Sequence, residues 1–146
     1  MEKKLFRTIN NYFPNYDVDS DNWELVCKNC ITMPSIFHLL NNVHYYVAYF
    51  SKKSAVNISM VLYENKKPVG VMPLLVYKHE QDGWVLSSNG VEIVEPIFIK
   101  SLPLKAKKRL EKKLRDLIYD LASQLNIKQS QFVNVGCFEL SSWYLM

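Results

Sequence analysis

Residues 56–77 read VNISMVLYENKKPVGVMPLLVY, and this stretch decides the fold. Its first part, residues 56–63, alternates and then runs apolar, which is typical of a β-strand. A polar turn at residues 64–67 leads into a second apolar stretch, residues 68–77, so the sequence predicts an antiparallel hairpin. Because proline cannot donate a ladder hydrogen bond, Pro73 predicts a bulge or an unpaired amide inside the second strand.

Short elements extend this hairpin in both directions. After a turn at residues 81–83, short strands are predicted at residues 84–88 and 96–99. Upstream, apolar residues at helical spacing predict a helix over residues 34–50. Residues 10–15 are typical of an earlier helix that ends in a turn.

The clearest helix follows this meander and spans residues 103–125. Its apolar residues form one stripe: Leu110, Leu114, Leu117, Ile118, Leu121 and Leu125. Pro103 suits the start of the helix and Asn126 suits a left-handed exit. With a last strand at residues 131–138, the sequence predicts a mixed α/β domain. In it, an antiparallel meander is followed by a central amphipathic helix and a further strand.

Composition limits the class of protein. The chain has 146 residues, which is the length of one domain over residues 1–146. Hydrophobic residues make up 49% and aromatic residues 13%, which excludes disorder, and the low glycine and proline counts exclude a collagen-like chain. No apolar run reaches about 18 residues, so no membrane-spanning helix is predicted. The first residues lack the apolar stretch of a secretory leader. We therefore expect a soluble, cytoplasmic domain.

The formal net charge of +4 is concentrated in one segment. Residues 100–116 contain two carboxylates, Glu111 and Asp116, and the following basic residues: Lys100, Lys105, Lys107, Lys108, Arg109, Lys112, Lys113 and Arg115. One interpretation is a solvated helix face. The other is a surface that attracts phosphates, nucleic acid or anionic lipid headgroups.

The chain has three cysteines, and this odd number argues against a framework of disulfide bonds. Cys27 and Cys30 have the spacing of one half of a zinc site, with His38 and Cys137 as further ligands. A second pair of ligands at such spacing is missing from the sequence. We therefore expect reduced, partly buried thiols. Upstream of them, the acidic residues 17–22 predict a surface loop.

Residues 63–75, the turn at residues 87–90 and Pro96 together resemble the FemAB-like branch of the GNAT acyltransferase superfamily. Residues 110–125 and the strand after them resemble the central helix and next strand of that fold, so the resemblance covers about residues 23–140. It implies a GNAT-like fold and transfer of an acyl or aminoacyl group to an amine of a cell-wall precursor, sugar or peptide. The implied donor is an aminoacyl-tRNA or an acyl-CoA thioester such as acetyl-CoA.

The resemblance also implies where an acyl carrier would bind. GNAT enzymes hold the CoA pyrophosphate in a glycine-containing loop before the central helix, whereas residues 100–109 contain no glycine. Individual basic side chains would supply the charge instead: Lys105, Lys107, Lys108 and Arg109. A notch between two central strands would place the amides of Val71 and Met72 beside the acyl carbonyl.

Acyl transfer to an amine needs a base and a positioned acyl carrier. Polar side chains on or beside the meander are the candidates for the base: Glu92, Glu95 and Tyr77, with Glu64, His79 and Glu80 as further ones. The sequence contains no nucleophile elbow, P-loop or zinc-protease motif.

FemAB-like proteins carry two GNAT-like halves, and this chain resembles the first. We therefore expect a chain that is inactive or weakly active alone and that pairs with another copy or with a second half. The alternative function is a non-catalytic module whose basic helix binds nucleic acid or another polyanion.

Overall fold

The computed structural model describes residues 2–14, 20–30, 38–80, 83–89 and 93–127. Among these residues lie four α-helices: α1 (Glu2–Tyr12), α2 (Ser20–Lys28), α3 (Leu40–Tyr49) and α4 (Leu104–Gln124). They also form six short strands: β1 (Val56–Asn57), β2 (Met60–Glu64), β3 (Lys67–Met72), β4 (Leu75–His79), β5 (Gly83–Ser87) and β6 (Ile97–Phe98). The mixed α/β class is therefore confirmed.

The strands pair only in antiparallel fashion, in the orders β1-β4-β5 and β2-β3-β6. The predicted hairpin is present, and Asn65 and Lys66 in its turn both have positive φ, 50° and 67°. A two-residue turn with this geometry matches the natural twist of a hairpin. The antiparallel meander is thus confirmed, although each of its two long predicted strands is divided in two.

The division of the strands has a specific cause. Around Ser59 and Pro73 the regular ladder stops, and the Ser59 hydroxyl takes over two of its bonds. It accepts a hydrogen bond from the Leu74 amide and donates one to the Leu74 carbonyl, each 3.0 Å. The Ser88 hydroxyl donates to the Pro73 carbonyl at 2.6 Å and accepts from the Val94 amide at 3.0 Å. Because these four groups are bonded, the interruption is stable although it is buried.

Helix α4 is the predicted central helix. Pro103 immediately precedes it, and Asn126 follows it with a φ of 57°, as the sequence predicts. The apolar stripe is buried: Ala106, Leu110, Leu114, Leu117, Ile118, Leu121 and Ala122. Helix α1 packs against it, with hydrogen bonds of 2.8 Å from Thr8 to Gln124 and from Tyr12 to Asp120.

Two predictions for the first third of the chain need correction. The helix expected over residues 34–50 begins at Leu40, and residues 34–37 lie outside the described part. The loop expected over residues 17–22 is wrong for residues 20–22, which belong to α2. Trp23 and Val26 on α2 are fully buried, and this apolar contact stabilises the helix.

Several predicted features lie outside the described residues. They are the strand at residues 131–138, Cys137, Glu92 and Gly90. Within the described ranges, no helix combines the length and the apolar composition needed to cross a bilayer.

Candidate functional site

The predicted carbonyl-binding residues lie inside the sheet. Val71 pairs with Val61 of β2 and with Ile97 of β6, and Met72 pairs with Met60. Both Val71 and Met72 are fully buried. The polar groups at the nearby break are bonded to Ser59 and Ser88, as described above. The structure therefore places these backbone groups in the interior and away from solvent.

The candidate bases are not brought together. Tyr77 is buried in β4, where its ring stacks on that of Phe50 with a centroid distance of 4.2 Å. Glu95 precedes β6 and is half-buried, and its carboxylate helps to raise the pKa of Glu111 on α4, where burial is the larger cause. Tyr77 thus belongs to the β1-β4-β5 sheet, whereas Glu95 faces α4.

His38 is a structural residue at the junction of three segments. Its Nε2–H donates to the Glu95 carbonyl at 2.7 Å, and its own carbonyl accepts a 2.7 Å bond from the Trp23 indole. The Cys27 thiol also points to that carbonyl, at 3.8 Å. Burial lowers the pKa of the imidazole, against the smaller opposing effects of the Glu95 carbonyl and carboxylate.

Cys27 is half-buried, and Cys30 is buried with its thiol donating to the Cys27 carbonyl at 3.2 Å. Burial, followed by the proximity of Cys30 and Glu24, raises the pKa of Cys27 to about 11. Such a thiol is a poor nucleophile at neutral pH. Among the described residues, no group of three His, Cys, Asp or Glu side chains is arranged to hold a metal ion.

The basic side chains of α4 divide into two groups. Some are engaged within the domain: Arg109 pairs with Glu64, Lys112 lies 3.3 Å from Asp116, and Lys107 lies over the ring of Phe98. The predicted ligands Lys105 and Lys108 are exposed to solvent. The charge of this helix is therefore only partly neutralised by its neighbours.

The amino end of α4 is open. Pro103 provides no side-chain cap, and Leu104 in the first turn is 64% exposed. The first backbone N–H groups of a helix have no partner within the helix and carry a partial positive charge. This end therefore favours anions, and it follows directly the segment that leaves β6.

A cleft of about 350 Å³ lies beside that segment. Its lining residues come from three parts of the chain: Leu25, Asn29, Lys67, Pro68, Ile99, Lys100 and Ser101. Backbone bonds fix its floor, because the Ile99 amide donates to Val69 at 2.9 Å and the Lys100 amide donates to Asn29 at 2.8 Å. The two lysines are exposed, and no carboxylate lines the cleft. An apolar floor with two cations suits an organic phosphate.

Only part of this cleft is evident from the sequence. Lys100 belongs to the predicted basic segment, but Lys67 is the first residue of β3 and is brought beside it by the pairing of β3 with β6. No local pattern connects the two lysines. In the sequence, the only indication of a cationic site there is the pair of lysines at residues 66 and 67, which comes directly before a stretch of apolar residues.

A larger cavity of about 780 Å³ lies along α1 and α4, but its chemistry differs. Its polar walls include Asp116 and Asp120, and the Tyr12 hydroxyl donates to Asp120. That bond is the largest cause of the raised pKa of Tyr12. Carboxylates repel phosphates, so this cavity does not suit the acyl carriers that the sequence resemblance implies.

Comparisons with models of known families, with curated proteins and with solved structures found no match to this chain.

Proposed function

We propose that the chain is a GNAT-like domain of an N-acyltransferase and that it binds the phosphates of the acyl carrier. The observation that carries this proposal is the cleft between Lys67 and Lys100, which is lined in part by the segment that connects β6 to α4. Acetyl-CoA is the simplest carrier of this chemistry, because it joins an acyl thioester to a pyrophosphate and a further phosphate.

The order of the elements supports the proposal. Helices, an antiparallel meander and a basic helix occur in the order that the resemblance of residues 63–75 implies. In a fold of that kind the phosphates bind where the meander leads into the central helix. The cleft lies at that point of the chain, and side-chain cations replace the missing glycine loop.

The same geometry supports a division of labour between this chain and another. Amine attack on the thioester needs a base for the amine proton and a donor for the developing oxyanion. Here the groups at the strand break bond to Ser59 and Ser88, and Tyr77 is stacked beneath Phe50. We therefore assign carrier binding to this chain and the chemical step to a second GNAT-like half or to another copy, which also presents the acceptor amine.

Calorimetric titration with CoA and with pantetheine tests the proposal. Pantetheine has the thiol arm of CoA but lacks its phosphates. We expect CoA to bind at one site per chain and pantetheine to bind far more weakly. Release of CoA from acetyl-CoA should stay at the background rate when amines are added to the chain alone. Equal binding of the two compounds would contradict the proposal.

Exposed Lys105 and Lys108 favour a second candidate function, which is polyanion binding along α4. Several lysine–phosphate contacts would make the affinity fall steeply with salt. A binding module of this kind would take up polyphosphate as well as CoA and would show no fixed stoichiometry. The double variant Lys105→Gln/Lys108→Gln would then lose binding, whereas CoA binding in the cleft depends mainly on Lys67 and Lys100.

A further inference from the structure

Helix α3 carries two exposed tyrosines on its outer side. The side chains of Tyr45 and Tyr49 are 57% and 66% exposed, and their rings stack with centroids 6.0 Å apart and planes 27° apart. The outer side of a surface helix normally carries charged residues. Within α3 there is no Asp, Glu, Lys or Arg, so these rings are the main feature that this side of the helix presents to solvent.

The exposed rings are held in place by rings beneath them. Tyr45 meets Tyr46 edge-on at 5.2 Å, and Tyr49 meets Phe50 edge-on at 4.9 Å. Phe50 in turn stacks on the buried ring of Tyr77. Because this band is anchored in β4, a flat ligand that stacks on the outer rings would order few additional side chains.

Cations adjoin the aromatic band. Lys52 and Lys53 follow α3 in a 3₁₀ turn, and both are exposed. The Lys53 ammonium lies 6.0 Å from the centroid of Phe50 and 5.9 Å from that of Tyr77. No Asp or Glu occurs anywhere in residues 25–63. The strand packed beneath, β4, contains Lys78 and His79 and is followed by the exposed Glu80. The local field therefore favours an anion.

We infer that the surface formed by Tyr45, Tyr49, Lys52 and Lys53 binds single-stranded nucleic acid. Two successive bases would stack on the tyrosine rings, and the phosphates that follow would meet the lysines. Aromatic side chains beside a basic strip are the usual platform for unpaired bases. In a duplex the faces of the bases are already stacked on each other, so this surface selects single strands.

Two other features of the molecule fit this ligand less well. The exposed lysines of α4 have charge, but the large apolar side chain exposed beside them is Leu104, which offers no ring for a base. A protein partner would need an interface of roughly 800 Å² on this side, which is much more than two tyrosine rings provide. Among the described residues, exposed aromatic rings and cations lie together only on the surface formed by α3 and the 3₁₀ turn after it, which favours single-stranded nucleic acid over a protein as the partner of this surface.

Fluorescence anisotropy with labelled oligouridylate of about ten nucleotides tests the inference, since sites of this kind span that length. At about 50 mM salt we expect saturable binding. Tyr45→Ala and Tyr49→Ala should each weaken it about tenfold. Tyr45→Phe and Tyr49→Phe keep the ring and should bind nearly as well as the original chain. Both positions carry exposed side chains, so all four variants should fold.

Salt dependence identifies the phosphate contacts. Loss of two contacts should reduce the slope of log affinity against log salt by about 1.4 for a single strand. We expect this change in Lys52→Gln/Lys53→Gln. The matched control Lys3→Gln/Lys4→Gln, at exposed lysines of α1, should leave the affinity and the slope unchanged. The α4 variant Lys105→Gln/Lys108→Gln is measured beside it.

Three results would overturn the inference. The first is no binding of the oligonucleotide at low salt. The second is binding that the tyrosine-to-alanine variants leave intact while the α4 variant abolishes it, which would place the nucleic acid on α4. The third is self-association, detected by light scattering without nucleic acid, that disappears in Tyr45→Ala/Tyr49→Ala, which would make the tyrosines a protein contact.

Discussion

The hydroxyl of Ser59 forms two hydrogen bonds with the backbone of Leu74, one to its amide and one to its carbonyl, each 3.0 Å long. The Ile58 amide donates to the same carbonyl at 3.0 Å. A side chain therefore occupies the place of a strand neighbour at the point where the meander is divided. Because of this contact, residues 56–64 and 67–79 can each contribute strands to both sheets while the buried polar groups of Leu74 stay hydrogen-bonded.

Removal of that hydroxyl should destabilise the domain. Ser59→Ala leaves the buried Leu74 amide without an acceptor, which costs about 1–3 kcal/mol of unfolding free energy. Urea unfolding followed by circular dichroism measures the change. Ser51→Ala, at an exposed serine, is the matched control and should be close to neutral. Equal stability of the two variants would show that the Ser59 hydrogen bonds do not stabilise the interruption of the strands.

Gly70 allows close approach of β3 and β6. A Cβ at this position would lie 2.8 Å from Cδ1 of Phe98 and 3.1 Å from the Ile97 carbonyl oxygen. Because the backbone oxygen cannot move freely, we expect Gly70→Ala to destabilise the fold by about 1–3 kcal/mol. Thermal unfolding of Gly70→Ala and of Gly70→Ala/Phe98→Leu tests the cause. Because Leu is smaller than Phe, the double variant should regain part of the stability that Gly70→Ala loses. If it regains none, the contact with the Phe98 ring is not the cause of the loss.

The parts of the fold that the sequence predicts depend on local signals. The start of α4 at Pro103, its exit at Asn126 and the hairpin turn are each determined by a few adjacent residues. The division of the strands depends on Ser59 and Ser88, whose partners are distant in sequence, so alternation of apolar residues could not predict it.

Helix α2, in contrast, has a local signal in the sequence. Trp23, Val26, Cys27 and Cys30 recur at helical spacing. The same two cysteines also have the spacing of a metal-ligand pair, so the local pattern alone does not distinguish the two interpretations. In the structure Trp23 and Val26 are buried on α2, and Cys30 lies just beyond its end.

His38 should make stability depend on pH. Burial lowers the pKa of His38 in the folded state, whereas the pKa of a histidine in the unfolded chain is about 6.5. The unfolded state therefore binds a proton first as the pH falls. The contribution of His38 is complete above the unfolded pKa and is lost as the pH decreases from there toward the folded pKa.

Unfolding free energies measured by urea between pH 8 and pH 5 check this expectation. His38→Gln should be less stable at pH 8 and should lose less stability on acidification than the original chain. His44→Gln, at an exposed histidine of α3, is the control and should keep the original pH dependence. Identical pH dependence in His38→Gln would contradict the assignment.

Cys27 should react slowly in the folded protein. With a pKa raised to about 11, its thiolate is scarce at pH 8, and alkylation by iodoacetamide should be roughly 100-fold slower than in the urea-unfolded chain. Peptide mapping separates Cys27 from the other cysteines. A rate in the folded protein equal to that in urea would show that the thiol is neither buried nor shifted.

The candidate site shows the same limit as the fold. The basic segment before and within α4 is visible in the sequence, but the cleft exists only because β3 and β6 bring Lys67 to the side of Lys100. The expected roles of Val71 and Met72 depended on a notch with accessible amides. The structure instead buries those residues in the sheet, so we propose the cleft beside Lys67 and Lys100 as the carrier site.

The most direct test of the account is the affinity of CoA for Lys67→Gln/Lys100→Gln, measured by calorimetry beside the original chain. Lys3→Gln/Lys4→Gln, at exposed lysines of α1, has the same net charge and serves as the control. We predict that the cleft variant loses at least tenfold in affinity, that the control loses little, and that both keep the fold. Equal affinities in the two double variants would contradict binding of the carrier phosphates in the cleft.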